Sequence, residues 1–210
     1  GGIPQDFAIT LMVMTYEDAI ALTSNELAQL QAYHSWGCTV VVEYDDREAL
    51  DHLKSLKTVQ SDLLSALADL QTLPADGNTE LHQIRQGLRD ELSACQASLQ
   101  QQIHTIGQTL QQWQQSNDAL SFNPTPSFDS VLTQCPYLFD ALPQLPTGPV
   151  HLLADDGIVL VIGSLSSAWS RQQFDTPLPR STMRDAQELG INILHYASSR
   201  QRMIQAQHPL

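Results

Sequence analysis

The sequence predicts an α+β protein: a small ferredoxin-like fold or a mixed-sheet α/β sandwich, with a long antiparallel helical hairpin inserted between its two halves. Three patterns predict this fold class. Residues 3–44 show a strand–helix–strand order, residues 45–120 form two leucine-rich amphipathic helices, and residues 150–210 show a strand–strand–helix–strand order. A proline-rich linker with one short helix, residues 121–149, joins the last two parts. A doubly wound sheet of five strands is the alternative topology.

The first half predicts a βαβ unit. The apolar run from Phe7 to Met14 is typical of a strand covered on both faces. Residues 15–35 are predicted to be helical, with a second N-cap at Thr23 that would break the helix. The β-branched run Cys38–Tyr44 predicts the next strand, and so short a connection implies a parallel, right-handed pair.

The middle of the chain predicts a coiled-coil-like hairpin. From Leu53 to Leu70 leucines recur at spacings of three and four, with Gln60 as the one polar interruption. A second stripe with 3-4-4 spacings runs from Leu81 to Trp113. Between them, Pro74-Ala75-Asp76-Gly77-Asn78 has the composition of a turn. The eleven-residue steps of the second stripe predict nearly straight helices.

Prolines, glycines and other turn residues predict the order of elements in the linker and in the second half. A short helix is expected from about Ser127 to Phe139. Asp155-Asp156-Gly157 lies between two apolar runs and predicts a tight β-hairpin, whereas residues 164–180, with Pro177 and Pro179, predict a loop. A helix capped by Ser181 or Thr182 should then end at Gly190. The run Ile191–Tyr196 is predicted as the last strand, and continued helix to about Gln205 is the alternative.

The charge and cysteine content limit the partners. A net charge of −13, with ten Lys plus Arg, argues against nucleic acid, whose binding needs clustered cations, and favours a basic protein partner or a divalent cation. Three cysteines without a CxxC pair predict a cytoplasmic protein without a disulfide framework. No apolar run reaches the roughly 20 residues of a membrane span, so we expect no membrane insertion. Gly1-Gly2 resembles a protease scar, which would make the chain a piece of something longer.

The hairpin is the predicted partner-binding part. Val59 with Leu64 forms a second apolar edge that would pair the hairpin with another copy or with a partner protein. The alternative is that the stripes only pack on each other and that the glutamine-rich outer face is solvated. The residues predicted to bind the partner are Leu64, Leu88, Leu99, Ile106 and Trp113.

An acidic cluster is the sharpest chemical prediction. The carboxyl ends of neighbouring parallel strands share one edge of a sheet, so acids that follow the first two strands should lie there. Carboxylate oxygens suit Mg²⁺, which predicts a metal site formed by Asp18, Glu43, Asp45 and Asp46. The alternative is helix capping, because Thr15 with Asp18, and Asp45 with Glu48, have the capping-box spacing.

Three further chemical groupings are open to an ordinary structural interpretation. The small residues Gly163–Ser167 could cradle an anion, or form a plain loop. His34 with Cys38 could share a metal, although they flank a turn. Cys135 could act as a thiol nucleophile with His151 or His195 as base, although no residue is predicted to orient that base.

We therefore expect a non-enzymatic interaction protein: an assembly or regulatory factor without a cofactor, whose hairpin forms a homodimer or docks on a larger complex. A Mg²⁺-dependent or nucleotide-binding enzyme that uses the acidic cluster is one alternative. A soluble domain of a membrane-anchored envelope or secretion component is another.

Overall fold

The computed structural model describes residues 9–73, 79–113, 120, 131–170 and 177–207. Within these ranges the helices are α1 Tyr16–Ala21, α2 Ser24–Ser35, α3 Arg47–Gln71, α4 Thr79–Thr109, α5 Val131–Gln134, α6 Leu165–Ser170 and α7 Arg180–Gln207. A short 3-10 helix, Leu110–Trp113, continues α4. The strands are β1 Leu11–Thr15, β2 Thr39–Tyr44, β3 Gln144–Leu145, β4 Gly148–Pro149, β5 His151–Asp155 and β6 Ile158–Ile162.

The main sheet has four strands in the order β1-β2-β6-β5. β1, β2 and β6 are parallel neighbours, with Val13 opposite Val41 and Val42 opposite Leu160, and β5 is antiparallel to β6. β3 and β4 form a separate two-stranded hairpin. The fold is thus mixed α+β with a mixed sheet and a long α4. The ferredoxin-like arrangement is not confirmed.

The side chains of the two central strands are buried on both faces of the sheet, which explains their continuous apolar sequences. Val40 and Val42 contribute to one core together with α1, α2 and the sheet-proximal ends of α3 and α4. Val41 lies in the other core, with α6, α7 and the segment from Leu132 to Val150. Strand periodicity places alternate residues of β2 in opposite cores.

Several local predictions are confirmed. β1 and β2 form the expected parallel pair, although Phe7 and Ala8 lie outside the described residues. Thr23 breaks the first helical segment with a full capping box to Glu26. The turn between β5 and β6 is the predicted one, with left-handed φ values of 34° at Asp156 and 82° at Gly157. The predicted turn at residues 74–78 is outside the described ranges.

The predicted last strand at Ile191–Tyr196 is wrong, because these residues lie within α7. The buried positions of α7 recur every three or four residues and belong to one helical face: Ala186, Leu189, Asn192, Ile193, Ala197 and Arg200. Gly190 is therefore not a C-cap. Its missing side chain admits the indole of Trp169, since a Cβ there would lie 3.0 Å from Trp169 Cζ2.

The predicted loop at 164–180 is also wrong in its first part, where α6 runs from Leu165 to Ser170. The carboxylate of Glu43, at the end of β2, accepts a hydrogen bond from the backbone N–H of Ser166 at 2.8 Å. A distant residue thus caps this helix, which local sequence does not reveal. Of the short helix predicted from Ser127 to Phe139, the described part shows only α5, and residues 127–130 are outside the described ranges.

Candidate functional site

The helices α3 and α4 form an antiparallel hairpin held by contacts between the two helices. Cys95 donates through its thiol to the carbonyl of Leu56 at 3.2 Å. Near the other end, the guanidinium of Arg85 donates to the carbonyls of Leu70 and Leu73, the latter at 3.0 Å. The Leu70 carbonyl belongs to the C-terminal turn of α3, where intrahelical partners run out, and Leu73 follows the C-cap Thr72. Arg85 therefore ties the far end of the hairpin together.

The outer part of the hairpin stands apart from the sheet. Among the described residues, neither core cluster contains a side chain from 57–73 or 79–98. At 1.5 Å per residue, the α3 part of this stretch extends about 20 Å. Leu67, Leu81 and Cys95 are buried there. A two-helix unit can bury only one stripe of each helix, so the flanks of that stripe stay open to solvent.

One flank of α3 is apolar over its whole outer length. Its residues recur at spacings of four and three, which places Val59, Leu63, Ala66 and Leu70 on one face of the helix. Leu73 continues the spacing just beyond the C-cap Thr72 and is counted with them. We call this set the Val59 stripe. Its middle residues are half-buried beside α4, whereas Val59 and Leu73 are each 48% exposed. The stripe is thus an apolar helix face with heptad spacing that α4 covers only in part.

The structure places the predicted partner-binding residues in two different environments. Leu64 is half exposed and Leu88 is half-buried in the hairpin. Leu99 and Trp113 lie in the core, where the Trp113 indole N–H donates to the carbonyl of Ala19 at 3.1 Å, and Ile106 packs against the same core. Those three side chains support the base of the hairpin and are not on its open face.

Of the four acids predicted to bind metal, Asp18 follows β1 and Asp45 and Asp46 follow β2, while Glu43 lies within β2 near its end. Two of them act at helix N-termini. The backbone N–H of Asp18 donates to the hydroxyl of Thr15 at 3.2 Å, so Asp18 lies in a capped first turn. Asp46, rather than Asp45, caps α3 through its carboxylate and the N–H of Ala49 at 3.1 Å. Within the described residues no group of three His, Cys, Asp or Glu side chains is arranged to hold a metal ion. The Mg²⁺ site stays a prediction that calorimetric titration can test.

Glu43 differs from the other acids because it is buried. Burial raises the pKa of its carboxyl above the ordinary value, and hydrogen bonds from Ser166 counteract this in part. The N–H groups of Gly163, Leu165 and Ser166 donate to Tyr44, Gly163 and Glu43 respectively. The small-residue loop after β6 therefore uses these donors within the protein, and an acid occupies the place where an anion would bind.

His34 and Cys38 meet around the buried guanidinium of Arg200 on α7. Arg200 donates to the carbonyls of His34 and Cys38 at 3.3 and 3.1 Å and pairs with the Asp156 carboxylate at 3.4 Å. Burial lowers the pKa of His34, and the positive charge of Arg200 adds to that effect. Because the backbone carbonyls are the acceptors, this arrangement fastens α7 to α2 and to the β5–β6 turn.

The residues of the predicted thiol site are distributed over three elements. Cys135 follows α5 and is half-buried, His151 begins β5, and His195 lies in the middle of α7. Burial, followed by the charge of Lys57, lowers the pKa of His151 to about 4. Among the described residues, His151 Nε2 and His195 Nδ1 are buried without a hydrogen-bond partner, so neither atom is bonded to the Cys135 thiol. The nucleophile stays an untested prediction.

Comparisons of the chain with protein-family models, with curated proteins and with solved structures gave no match. In the described part of the chain, every helix is too short or too polar to cross a lipid bilayer.

Proposed function

We propose that the chain is a non-enzymatic interaction protein whose helical hairpin docks a basic amphipathic helix of a partner protein along the Val59 stripe. The α/β body anchors the hairpin through Leu50, Leu53, Leu99 and Ile103, which lie in the core of the body. The outer hairpin then presents one open apolar helix face. A body that supports a protruding recognition element is the arrangement this proposal rests on.

The shape of the stripe favours a helix as the occupant. Residues spaced by four and three along one face form the holes into which side chains of a second helix pack. A helix binds in such a groove through apolar side chains that lie one or two turns apart. Val59, on the helix, and Leu73, just after its C-cap, are about half covered already, so a partner helix would bury the remaining halves. The open apolar stripe is the single observation that carries the proposal.

The charge around the stripe favours a basic partner over a second copy of the chain. Asp62 and Asp69 lie one turn from Val59 and Ala66, and both acids are exposed. A second copy would place its own acids against these two and would add another net charge of −13. Lysines or arginines at the flanking positions of a partner helix would instead pair with them.

The test uses a synthetic three-heptad peptide with leucine at the core positions and lysine at the flanking positions. Binding to the intact chain is measured by fluorescence anisotropy at two salt concentrations. We expect saturable binding that weakens at high salt, because screening reduces the contribution of Asp62 and Asp69. The variant Val59→Glu/Leu73→Glu should lose at least about tenfold in affinity, which corresponds to 1.4 kcal/mol.

The matched control is Ser65→Glu/Ser93→Glu, which adds the same two charges at exposed positions of α3 and α4 away from the stripe. It should bind the peptide like the wild type or slightly better. Equal binding by the stripe variant and the control would contradict the proposal, and so would absence of binding. Light scattering that shows a wild-type dimer, converted to monomer by the stripe variant, would assign the face to self-association instead.

A further inference from the structure

A second surface of α3 carries the chain's only lysines. Lys54 and Lys57 are one turn apart and line an open pocket of about 480 Å³. Gln144 of the β3–β4 hairpin lines it as well, so the pocket lies between that hairpin and α3. Its volume is in the range of small-molecule sites. The Val59 stripe is on a different face of the same helix, and Asp62, which lies beside both surfaces, is the one residue that they share.

The β3–β4 hairpin is fixed against α3 by close backbone contacts. The Lys54 ammonium donates to the carbonyl of Pro146 at 2.8 Å. Gly148 has a φ of 134°, and a Cβ there would lie 3.5 Å from the carbonyl oxygen of Leu50 and from Lys54 Cβ. Leu145 is buried in the core beneath. The wall of the pocket is therefore built by residues about ninety positions apart in the sequence and held by the fold.

The two ammonium groups have spare hydrogen-bonding capacity. Lys54 uses one of its three donors on Pro146, and Lys57 uses one on the side-chain oxygen of Gln60 at 3.1 Å. Neither lysine forms an ion pair with a carboxylate in the part of the chain that the structure describes. In a chain of net charge −13, two adjacent cations without a carboxylate partner concentrate positive potential at this pocket.

The rest of the lining suits an anion attached to a small organic group. Ser61 and Gln144 add neutral donors, and Leu64 adds an apolar contact. Asp62 also lines the pocket, and its carboxylate would repel an anion placed beside it. The anionic group must therefore lie toward the lysines, and the part of the ligand near Asp62 must be neutral or carry hydroxyl donors.

We propose that this pocket binds a small phosphomonoester, with its phosphoryl oxygens on Lys54, Lys57 and Ser61 and its neutral hydroxylated part toward Asp62 and Leu64. Lysine binds phosphate as a compact point charge, and two lysines match the two charges of the dianion. This site goes beyond the proposed docking function, since none of these side chains belongs to the Val59 stripe.

The test titrates the intact chain with glucose 6-phosphate, inorganic phosphate and glucose by isothermal calorimetry. We expect glucose 6-phosphate to bind at least as tightly as phosphate and glucose to give no heat. Lys54→Gln and Lys57→Gln should each weaken glucose 6-phosphate at least about tenfold, because each removes one of the two charges. Arg89→Gln is the matched control: it lowers the net charge equally at an exposed position of α4 outside the pocket and should leave binding unchanged.

A second readout locates the ligand. In two-dimensional NMR spectra, glucose 6-phosphate should shift the side-chain amide signals of Gln144 and Gln60 in the wild type, and not in Lys57→Gln. The proposal is overturned if no phosphate compound binds, if glucose binds as well as glucose 6-phosphate, or if the lysine variants and Arg89→Gln behave alike. Loss of binding in all three variants would show that net charge, not this pocket, attracts the anion.

Discussion

Replacement of Asn192 by leucine should be among the most destabilising single changes in α7. Asn192 is fully buried, with 0% exposure, although leucine has the same number of side-chain heavy atoms and would suit a helix better. Its side-chain N–H₂ donates to the carbonyls of Leu132 and Tyr137 at 2.9 and 2.7 Å, and its oxygen accepts from the N–H of Tyr137 at 2.9 Å. One amide thus holds the segment after α5 against α7.

The magnitude follows from the three backbone groups left without a partner. A buried polar group that loses its partner costs about 1–3 kcal/mol. The Leu132 carbonyl is in a fully buried environment, whereas the two Tyr137 groups are partly buried and can regain water. The free energy of unfolding of Asn192→Leu should therefore fall by about 3 kcal/mol.

Urea denaturation followed by circular dichroism at pH 7 measures this difference. The control is Ser198→Leu, which makes the same polar-to-leucine change at an exposed position of α7 and should alter the free energy of unfolding by less than about 0.5 kcal/mol. If Asn192→Leu loses no more stability than Ser198→Leu, these hydrogen bonds do not fasten the segment, and the placement of α7 derived from them is incorrect.

Three further predictions concern buried titratable groups. The pKa of His151 is lowered to about 4, so neutral His151 stabilises the fold above the ordinary pKa of about 6.5. As pH falls from there to 4, the free energy of unfolding should decrease by about 3 kcal/mol. The urea midpoint of His151→Asn should lack this pH dependence. Burial raises the pKa of Glu43, so the free energy of unfolding should decline as pH rises above about 4.5. Glu43→Gln should lack this decline, so its free energy of unfolding should rise relative to that of the wild type between pH 4 and 7. Parallel pH profiles of the two proteins would contradict this prediction. Arg200→Met removes the guanidinium donor from the Cys38 carbonyl and from the His34 carbonyl, which keeps the N–H of Gly37, and it breaks the ion pair with Asp156. It should lower the free energy of unfolding by about 3 kcal/mol, against no change for exposed Arg202→Met.

The sequence was sufficient where the deciding interactions are local. The Thr23–Glu26 capping box, the Asp156-Gly157 turn and the β-branched run of β2 are all determined by neighbouring residues, and each was predicted. The hairpin follows from periodic leucines, since helical spacing over many turns is a strong pattern. The edge predicted from the sequence paired Val59 with Leu64, whereas in the structure Leu64 lines the lysine pocket and Val59 shares its face with Leu63 and Leu70.

Local patterns failed where a distant side chain decides the structure. The run around Ile191 has strand propensity, but Asn192 and Arg200 find partners on other elements that only a helix brings to one face. From the sequence alone Gly190 indicates the end of a helix, because its contact with Trp169 exists only in the folded protein. The pocket at Lys54 was missed for the same reason, since its other wall is Pro146 and Gln144.

Hydrogen exchange of the intact chain, with and without the leucine–lysine peptide, tests the docking proposal most directly because it locates the bound surface. We predict slower exchange in residues 58–73 and 79–95 and no change in β2 and β6, since the peptide would add a third helix to a part that only two helices now stabilise. Unchanged exchange in the outer hairpin, or protection confined to the α/β body, would contradict the docking function.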